Sequence, residues 1–297
     1  MAASESLVSV GVPVYNGAGR IEGTITSVLA QDHANLELVI CDNASTDGTE
    51  EICRDWAATD PRVVYHRQPE NIGQIPNFTD AIRRARGEFY RWAGDDNWLA
   101  PTYVSRCLEV LAADERLLLV TTQQAYACPD GSTRTAAYTG TGYLSGDPVD
   151  RFAESLRMLN ENPLAMDPLY SLMRRERVMR VERGRVMLRE DEIYAARMAL
   201  AGPWGHVPEI LAGREWEAQP QGDIARKLGV PAWQARFATL FQCRELLRAL
   251  GEVPLTPAQR RRGRALVARM YLRRHGVTAA RRGRKLMSTT RLLGSPR

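Results

Sequence analysis

Apolar runs of strand length alternate with segments of helical period along the first 125 residues, and that rhythm restricts the chain to βα units around a mainly parallel sheet. The strand candidates are Leu7 to Val14, Leu36 to Asp42, Arg62 to Arg67, Glu88 to Gly94 and Leu117 to Thr122. Between them, Ile21 to Gln31, Thr46 to Ala58, Ile75 to Arg86 and Pro101 to Ala113 carry apolar residues at helical spacing. Asp47-Gly48-Thr49-Glu50 reads as a helix start with a side-chain cap. Each strand then ends in a polar loop at one common edge, where open α/β sheets hold their ligands.

With 297 residues and 44% hydrophobic content the chain has material for a large core, and disorder is excluded. No stretch approaches the ~20 apolar residues that cross a bilayer. The start, Met1 to Ser6, lacks the basic segment and apolar run of a secretion signal, so a cytoplasmic location is expected. The cysteines Cys41, Cys53, Cys107, Cys128 and Cys243 are scattered and include no Cys-x-x-Cys pair, which points to buried thiols in a reducing compartment.

The net charge of +5 hides an asymmetry: Val253 to Arg297 holds 13 basic and no acidic residues, leaving 27 basic against 35 acidic in the first 252, a net −8. Ala125 to Asp147 breaks the βα rhythm with Pro129-Asp130-Gly131 and a run of Gly, Thr and Tyr, and reads as a turn-rich connection. After a mixed region come a helix from Arg189 to Ala201, a short strand Gly205 to Ile210, and helices near Trp233 to Leu250 and Pro257 to Arg274.

Gly17-x-Gly19-x-x-x-Gly23, followed by Asp42, imitates a dinucleotide-binding turn, but Pro13 interrupts the approach and the third glycine is out of register. The only lysines, Lys227 and Lys285, lack a tyrosine four residues before them, which argues against a short-chain nicotinamide enzyme. The doublet Asp95-Asp96 at the end of a strand offers hard oxygen ligands to a divalent cation carrying phosphates; the alternative is a helix-start signal before Pro101. Glu190-Asp191-Glu192 opens a helix and, read alone, complements the helix dipole. His206 reads as a strand histidine rather than a ligand.

Taken together, Pro13-Val14-Tyr15-Asn16, Asp42 to Gly48, Asn71-Ile72-Gly73 and Gly94-Asp95-Asp96-Asn97 resemble, in order and spacing, the family 2 glycosyltransferases with the GT-A fold. The resemblance covers the first 125 residues well and extends loosely to Arg214. It implies a Rossmann-like α/β/α sandwich that binds a nucleotide diphosphate sugar with Mg²⁺ or Mn²⁺ and transfers the sugar, with inversion, to a hydroxyl of a glycan, lipid or small aglycone. UDP- or dTDP-sugars are the favoured donors. In this resemblance Tyr15 lies against the base, Pro13 and Asn16 shape the backbone around it, and Asp42 accepts a hydrogen bond from a base N–H. Asn71 and Gly73 form a loop close to the nucleotide, Asp95 is the ribose-side acid and Asp96 the metal ligand. Asp191 matches the general base, Glu190 supports it, and Arg214 resembles a residue closing the donor site. One departure stands out: many relatives have an acid where this chain has Ala93. A binding protein without turnover and a nucleotidyltransferase on a similar sandwich are the alternatives.

The expected division is a catalytic domain over residues 1–215, with a nucleotide-binding half at 1–125 and an acceptor-side half at 126–215, followed by a helical C-terminal region at 216–297. Leu266, Val267, Met270 and Tyr271 fall at helical spacing among arginines, and Arg281 to Lys285 extend the charge. Such a helix, over 257–297, either attracts the anionic inner face of a membrane or docks its apolar stripe on the body. Nucleic acid is not an expected partner, since aromatics are sparse in the tail and the body is acidic.

Overall fold

The structure, a computed structural model, describes residues 5–216, 219–231 and 233–293, and of residue 221 and those from 276 onward the backbone only. Met1 to Ser4 and the side chains of Arg281 to Lys285 lie outside the described residues.

Among the described residues, nine strands form one sheet: β1 (Val8–Val14), β2 (Leu36–Asp42), β3 (Val63–Arg67), β4 (Phe89–Trp92), β5 (Asn97–Leu99), β6 (Leu119–Ala127), β7 (Thr133–Thr135), β8 (Leu172–Arg174) and β9 (Trp204–Glu215). They lie in the order β3-β2-β1-β4-β8-β6-β9-β5, with β7 on β6. β1 pairs in parallel with β2 and β4, and β2 with β3. β8 then enters antiparallel to β4 and β6, so β6 and β9 again run in the direction of β1. β1 and β2 are buried along their whole length, as continuous apolar strands covered on both faces must be.

The helices are α1 (Ile21–Leu29), α2 (Thr49–Thr59), α3 (Gln74–Arg84), α4 (Tyr103–Ala113), α5 (Pro148–Glu161), α6 (Arg175–Met179), α7 (Glu190–Ala201), α8 (Gln221–Lys227), α9 (Gln234–Glu252) and α10 (Pro257–Leu293). Ile21, Ile25 and Val28 of α1 join Val8, Val10 and Leu108 in the core on one face of the sheet. Phe78 and Ile82 of α3 with Tyr194 and Met198 of α7 cover Val39, Trp92 and Leu119 on the other. At the start of α2 it is Asp47, one residue before the cap position, that accepts the Thr49 N–H at 3.0 Å.

The second half of the chain departs most from its expected elements. α5 occupies the region read as mixed; its signal was present in Val149, Phe152 and Leu156, with Asp147 accepting the Val149 N–H at 2.8 Å as a cap. β9 runs to Glu215 rather than stopping near Ile210, because a bulge opposite Thr122 to Gln124 takes up Pro208, which has no N–H to give the ladder, and the strand then resumes. Pro129 to Gly131 turn the tight hairpin between β6 and β7, with Gly131 at φ 77°. All five cysteines are free.

The apolar stripe of α10 is turned inward. Val267 and Met270 are buried, and Leu266 and Tyr271 pack beside them, in a cluster with Val149 and Phe152 of α5, Leu200 of α7 and Leu246 of α9. Among the described residues no helix is long and apolar enough to cross a membrane. Met270→Ala is expected to destabilise the protein by about 2–5 kcal/mol, the usual cost of emptying a packed Met site, measured by urea unfolding; an unchanged midpoint would mean that α10 is not held to the body.

Candidate functional site

The carboxyl ends of β1, β2, β4 and β9 open into one cleft of about 1020 Å³, lined by Pro13, Tyr15, Arg20, Asn43, Asn71, Gly73, Asp95, Asp96, Tyr170, Asp191, Arg214 and Lys227, among others. Sequence residues far apart are brought together here by strand register alone: Val14 lies opposite Asp42, and Gly11 opposite Trp92, so the loops after three strands emerge side by side.

Polar side chains tie those loops into a frame. Asn16, at φ 54°, receives the Thr46 N–H on Oδ1 at 2.9 Å while its own N–H donates to Ser45 Oγ at 2.9 Å. Asn43 donates to Asn71 Oδ1 at 2.9 Å and accepts the Ile72 N–H at 2.9 Å, and Asn71 Oδ1 also receives the Gly73 N–H. Gly73 starts α3 at φ 89° and ψ 160°, a conformation essentially restricted to glycine. Asp42 is fully buried beneath this corner: Tyr65 donates its hydroxyl to Oδ2 at 2.7 Å and Ser45 its N–H to Oδ1 at 2.8 Å. Of the neighbours Asp42 and Asn43 it is Asn43 that lines the cleft, so the hydrogen bond to a base expected of Asp42 is not open to a ligand in this structure. Tyr15 stands 48% exposed at the mouth, with its ring open to a planar ligand.

The two adjacent aspartates occupy different environments. Asp95 is paired with Arg20 at 2.5 Å. Asp96 has its carboxyl pushed above the usual range, first by burial and then by the charge of Asp95, with Arg214 acting in the opposite sense. Gly94 and Gly17 make room for the doublet, since a Cβ on Gly94 would stand 2.5 Å from Asp96 Oδ1 and one on Gly17 2.7 Å from Asp95 Oδ2. Ala93 faces away, buried in the apolar core with Val8 and Val104, so an acid there would not reach the cleft without a change of backbone.

No group of three or more His, Cys, Asp or Glu side chains converges as a metal site among the described residues. The donor set that does exist, two neighbouring carboxylates of which one is held in an unfavourable charged state, fits a hard divalent cation that takes its other ligands from phosphate and water.

A second cavity of about 730 Å³ adjoins the first and shares Phe78, Tyr170, Asp191, Arg214 and Leu228 with it. Its walls come from the ends of α5 and α7 and from α9 and α10. Asp191 thus stands at the junction, open to solvent yet surrounded by protein, and that surrounding raises its carboxyl to about 6, with the charge of Glu192 next in weight. Its neighbours are engaged elsewhere. Glu190 is buried against Arg183 at 2.9 Å, and Arg183 lies over the rings of Phe78, Trp92 and Tyr194. Glu192 receives Gln242 at 2.8 Å and Arg274 at 2.8 Å. Arg189 turns the chain into α7 at φ 65°, so that the helix begins at the cleft floor. Arg214 is anchored on Asp167 at 2.8 Å and lies over Tyr126 and Tyr170. His206 meets Thr121 Oγ1 through Nδ1 at 2.9 Å, and burial pushes its ring down to about 4, so it is a neutral packed residue.

Of the residues singled out from sequence, Pro13, Tyr15, Asn71, Gly73, Asp95, Asp96, Asp191 and Arg214 line the main cleft, Glu190 lines the second cavity, and Asn16 and Asp42 brace the loops. Sequence reasoning passed over Arg20, Asn43, Tyr170, Arg183 and Lys227. Arg20 and Lys227 carried a signal, since a carboxylate pair and a diphosphate both call for cations; Tyr170 and Arg183 carried none, lying in the region that matched no pattern.

The family model described as Glycosyl transferase family 2 matches residues 9–180. Chondroitin synthase of Pasteurella multocida (strain Pm70) is 33% identical over 132 residues, which are 44% of this chain and only 14% of that protein. The putative teichuronic acid biosynthesis glycosyltransferase TuaG of Bacillus subtilis (strain 168) is 26% identical over 193 residues, 62% of this chain and 69% of its own length. Among solved structures, S. aureus TarS 1-349 in complex with UDP superposes with TM-score 0.61 at 14% identity, covering 88% of this chain and 70% of that one. Mannosyltransferase PcManGT from Pyrobaculum calidifontis in complex with GDP-Man and Mn²⁺ gives 0.54 at 19% identity, covering 97% and 80%. These likenesses establish the expected GT-A fold with a helical C-terminal part.

A group whose pKa is raised in the folded protein favours the fold when protonated, and that stability is lost as pH rises through the folded value. Ionised Asp191 therefore costs stability above pH about 6. Asp191→Asn is expected to raise the melting temperature at pH 8 and leave it unchanged at pH 4; equal melting at both would remove the raised carboxyl.

Proposed function

The chain belongs to glycosyl transferase family 2, and from that premise we propose that it transfers a sugar, with inversion, from a nucleoside diphosphate sugar to an acceptor hydroxyl, with Asp191 as base. The observation that carries this reading is the position of Asp191 where two cavities meet, in the same cleft as Asp95, Asp96 and Arg214. In this reading the larger cavity takes the donor and the smaller one the acceptor.

The base of the donor lies against Tyr15 and beside the Asn43–Asn71 pair, with Asp42 holding that corner from beneath. A uracil or thymine nucleotide is favoured in this reading. Asp95 faces the ribose. Asp96, with Asp95 beside it, would hold Mg²⁺ or Mn²⁺; that cation supplies charge neutralisation to the departing diphosphate. Arg20, Arg214 and Lys227 add fixed positive charge around the same phosphates. Residues 1–125 supply the nucleotide loops and 126–215 the acceptor side together with Arg214, while 216–297 bring Lys227 to the donor cleft and wall the second cavity.

The acceptor, a glycan, lipid or small aglycone, presents its hydroxyl to Asp191. The carboxylate takes the proton as the oxygen bonds to the anomeric carbon and the bond from that carbon to the diphosphate oxygen breaks. A base with a pKa near 6 is ionised at neutral pH yet still strong enough to accept the proton as it is released.

Asp191→Asn is expected to lower kcat by about 10²- to 10⁴-fold with UDP affinity unchanged, whereas Asp96→Asn abolishes the Mn²⁺-dependent part of UDP binding. Thermal shift with UDP, dTDP and GDP, with and without Mn²⁺, reads the binding side. Equal loss of nucleotide binding in both variants would refute the separate roles. In the wild type, log(kcat/KM) should fall with unit slope below pH about 6 and level off above it; a flat profile down to pH 4.5 would exclude Asp191 as the base.

A further inference from the structure

The outward face of α9, together with Trp233 just before it, carries Trp233, Phe237, Leu240 and Leu247, a stripe at helical spacing with exposures of 55%, 49%, 50% and 43%. The opposite face is buried, Leu246 and Leu250 against α5, α7 and α10 and Ala238 against Leu188 and Ala225. The outer rings form a cluster, with Trp233 5.9 Å from Phe241 and 6.5 Å from Phe237 between centroids. Among the described residues it is the largest group of exposed apolar side chains in the C-terminal region, where α10 adds Leu272 while Val267 and Met270 are spent on the body.

Basic side chains outnumber acids around it. Arg236, Arg244 and Arg248 are the exposed basic side chains of α9 beside the stripe, and Arg248 is shared with Glu182 and Glu252. The acids of α9 are engaged: Glu245 is turned inward at 12% exposure, and Glu252 pairs with Arg197 and Arg248 at 2.6 and 2.8 Å. From Val253 to the end of the chain there is no acid at all, and Arg261, Arg264 and Arg269 of the adjoining α10 are exposed.

We propose that the outer face of α9 docks on an anionic lipid bilayer, with Trp233, Phe237 and Leu240 entering the headgroup region and arginines on the phosphates. Long arginine stems let the charge reach the phosphates while the apolar groups sit deeper, a division of labour suited to a lipid surface. A two-fold contact between copies through this face would bring its arginines against their own equivalents, which electrostatics opposes. The proposal stands apart from the assignment of the cleft, because none of these residues lines the donor cavity.

The test is co-sedimentation of the full chain with phosphatidylcholine vesicles and with vesicles containing phosphatidylglycerol, together with tryptophan quenching by brominated lipids. Binding to anionic vesicles at least tenfold above neutral ones, weakening with salt, is expected. Phe237→Ser with Leu240→Ser should lower it at least tenfold, Arg236→Glu with Arg244→Glu should lower it similarly, and Trp233→Phe should remove most of the quenching. Circular dichroism melting checks that the variants fold. The proposal is overturned if anionic vesicles are not bound, if both double variants bind as the wild type does, or if quenching survives Trp233→Phe. It is equally overturned if ultracentrifugation finds a dimer that the Phe237→Ser, Leu240→Ser variant dissolves.

Discussion

The parallel pairing of β1 with β2 on one side and β4 on the other is the constraint from which the rest of the structure follows. Because the three strands share a direction, the loops carrying Tyr15, Asn43 and Asp95 leave the sheet at one edge, and no loop needs to travel to reach its partners. β8 reverses the sheet for one strand, after which β6 and β9 return to the original direction and deliver Arg214 to that same edge. A one-residue slip between β1 and β2 would exchange the side chains packed on the two covered faces and break both cores at once, so the position of the site is protected by the same packing that stabilises the fold.

Charge pairing then sorts a cleft rich in acids into roles. Asp95 is held by Arg20, Glu190 by Arg183, Glu192 by Arg274 and Gln242, and Asp167 by Arg214. Asp96 and Asp191 are the two whose carboxyls burial raises without an ion pair among the described residues. One is suited to meet a cation and the other to take a proton, and the difference comes from what surrounds each group rather than from its type.

How much of this was legible in the sequence depends on whether a residue's role is local. The first strands and helices were readable because their apolar period is a property of each segment, and Leu36–Asp42 was read to its ends. Asp95, Asp96 and Asp191 were readable because acids at the end of a strand or the start of a helix already mark an edge. Asp42 was legible as a strand-end acid, but its burial under Tyr65 depends on a strand 23 residues further on. Within Glu190-Asp191-Glu192 nothing local separates the three; the partners that silence the outer two come from Arg183 and from helices α9 and α10. The second cavity was illegible for the same reason, being built from ends of elements that meet only in the folded chain.

The charge asymmetry of the chain has a physical origin inside the molecule. Arg262 of α10 pairs with Asp147 and Asp150 at the start of α5, Arg273 with Glu161 at its end, and Arg274 with Glu192 beside the cleft. An acidic body and a basic C-terminal helix are thus complementary surfaces of one fold, and part of the positive excess is used in holding α10 across α5 and α9. Since such exposed pairs each contribute little, the buried stripe of Val267 and Met270 supplies the greater part of the attachment, and the pairs fix its register. That register sets where Arg274 reaches Glu192, so the helix furthest from the nucleotide loops in sequence helps decide the electrostatic surroundings of Asp191.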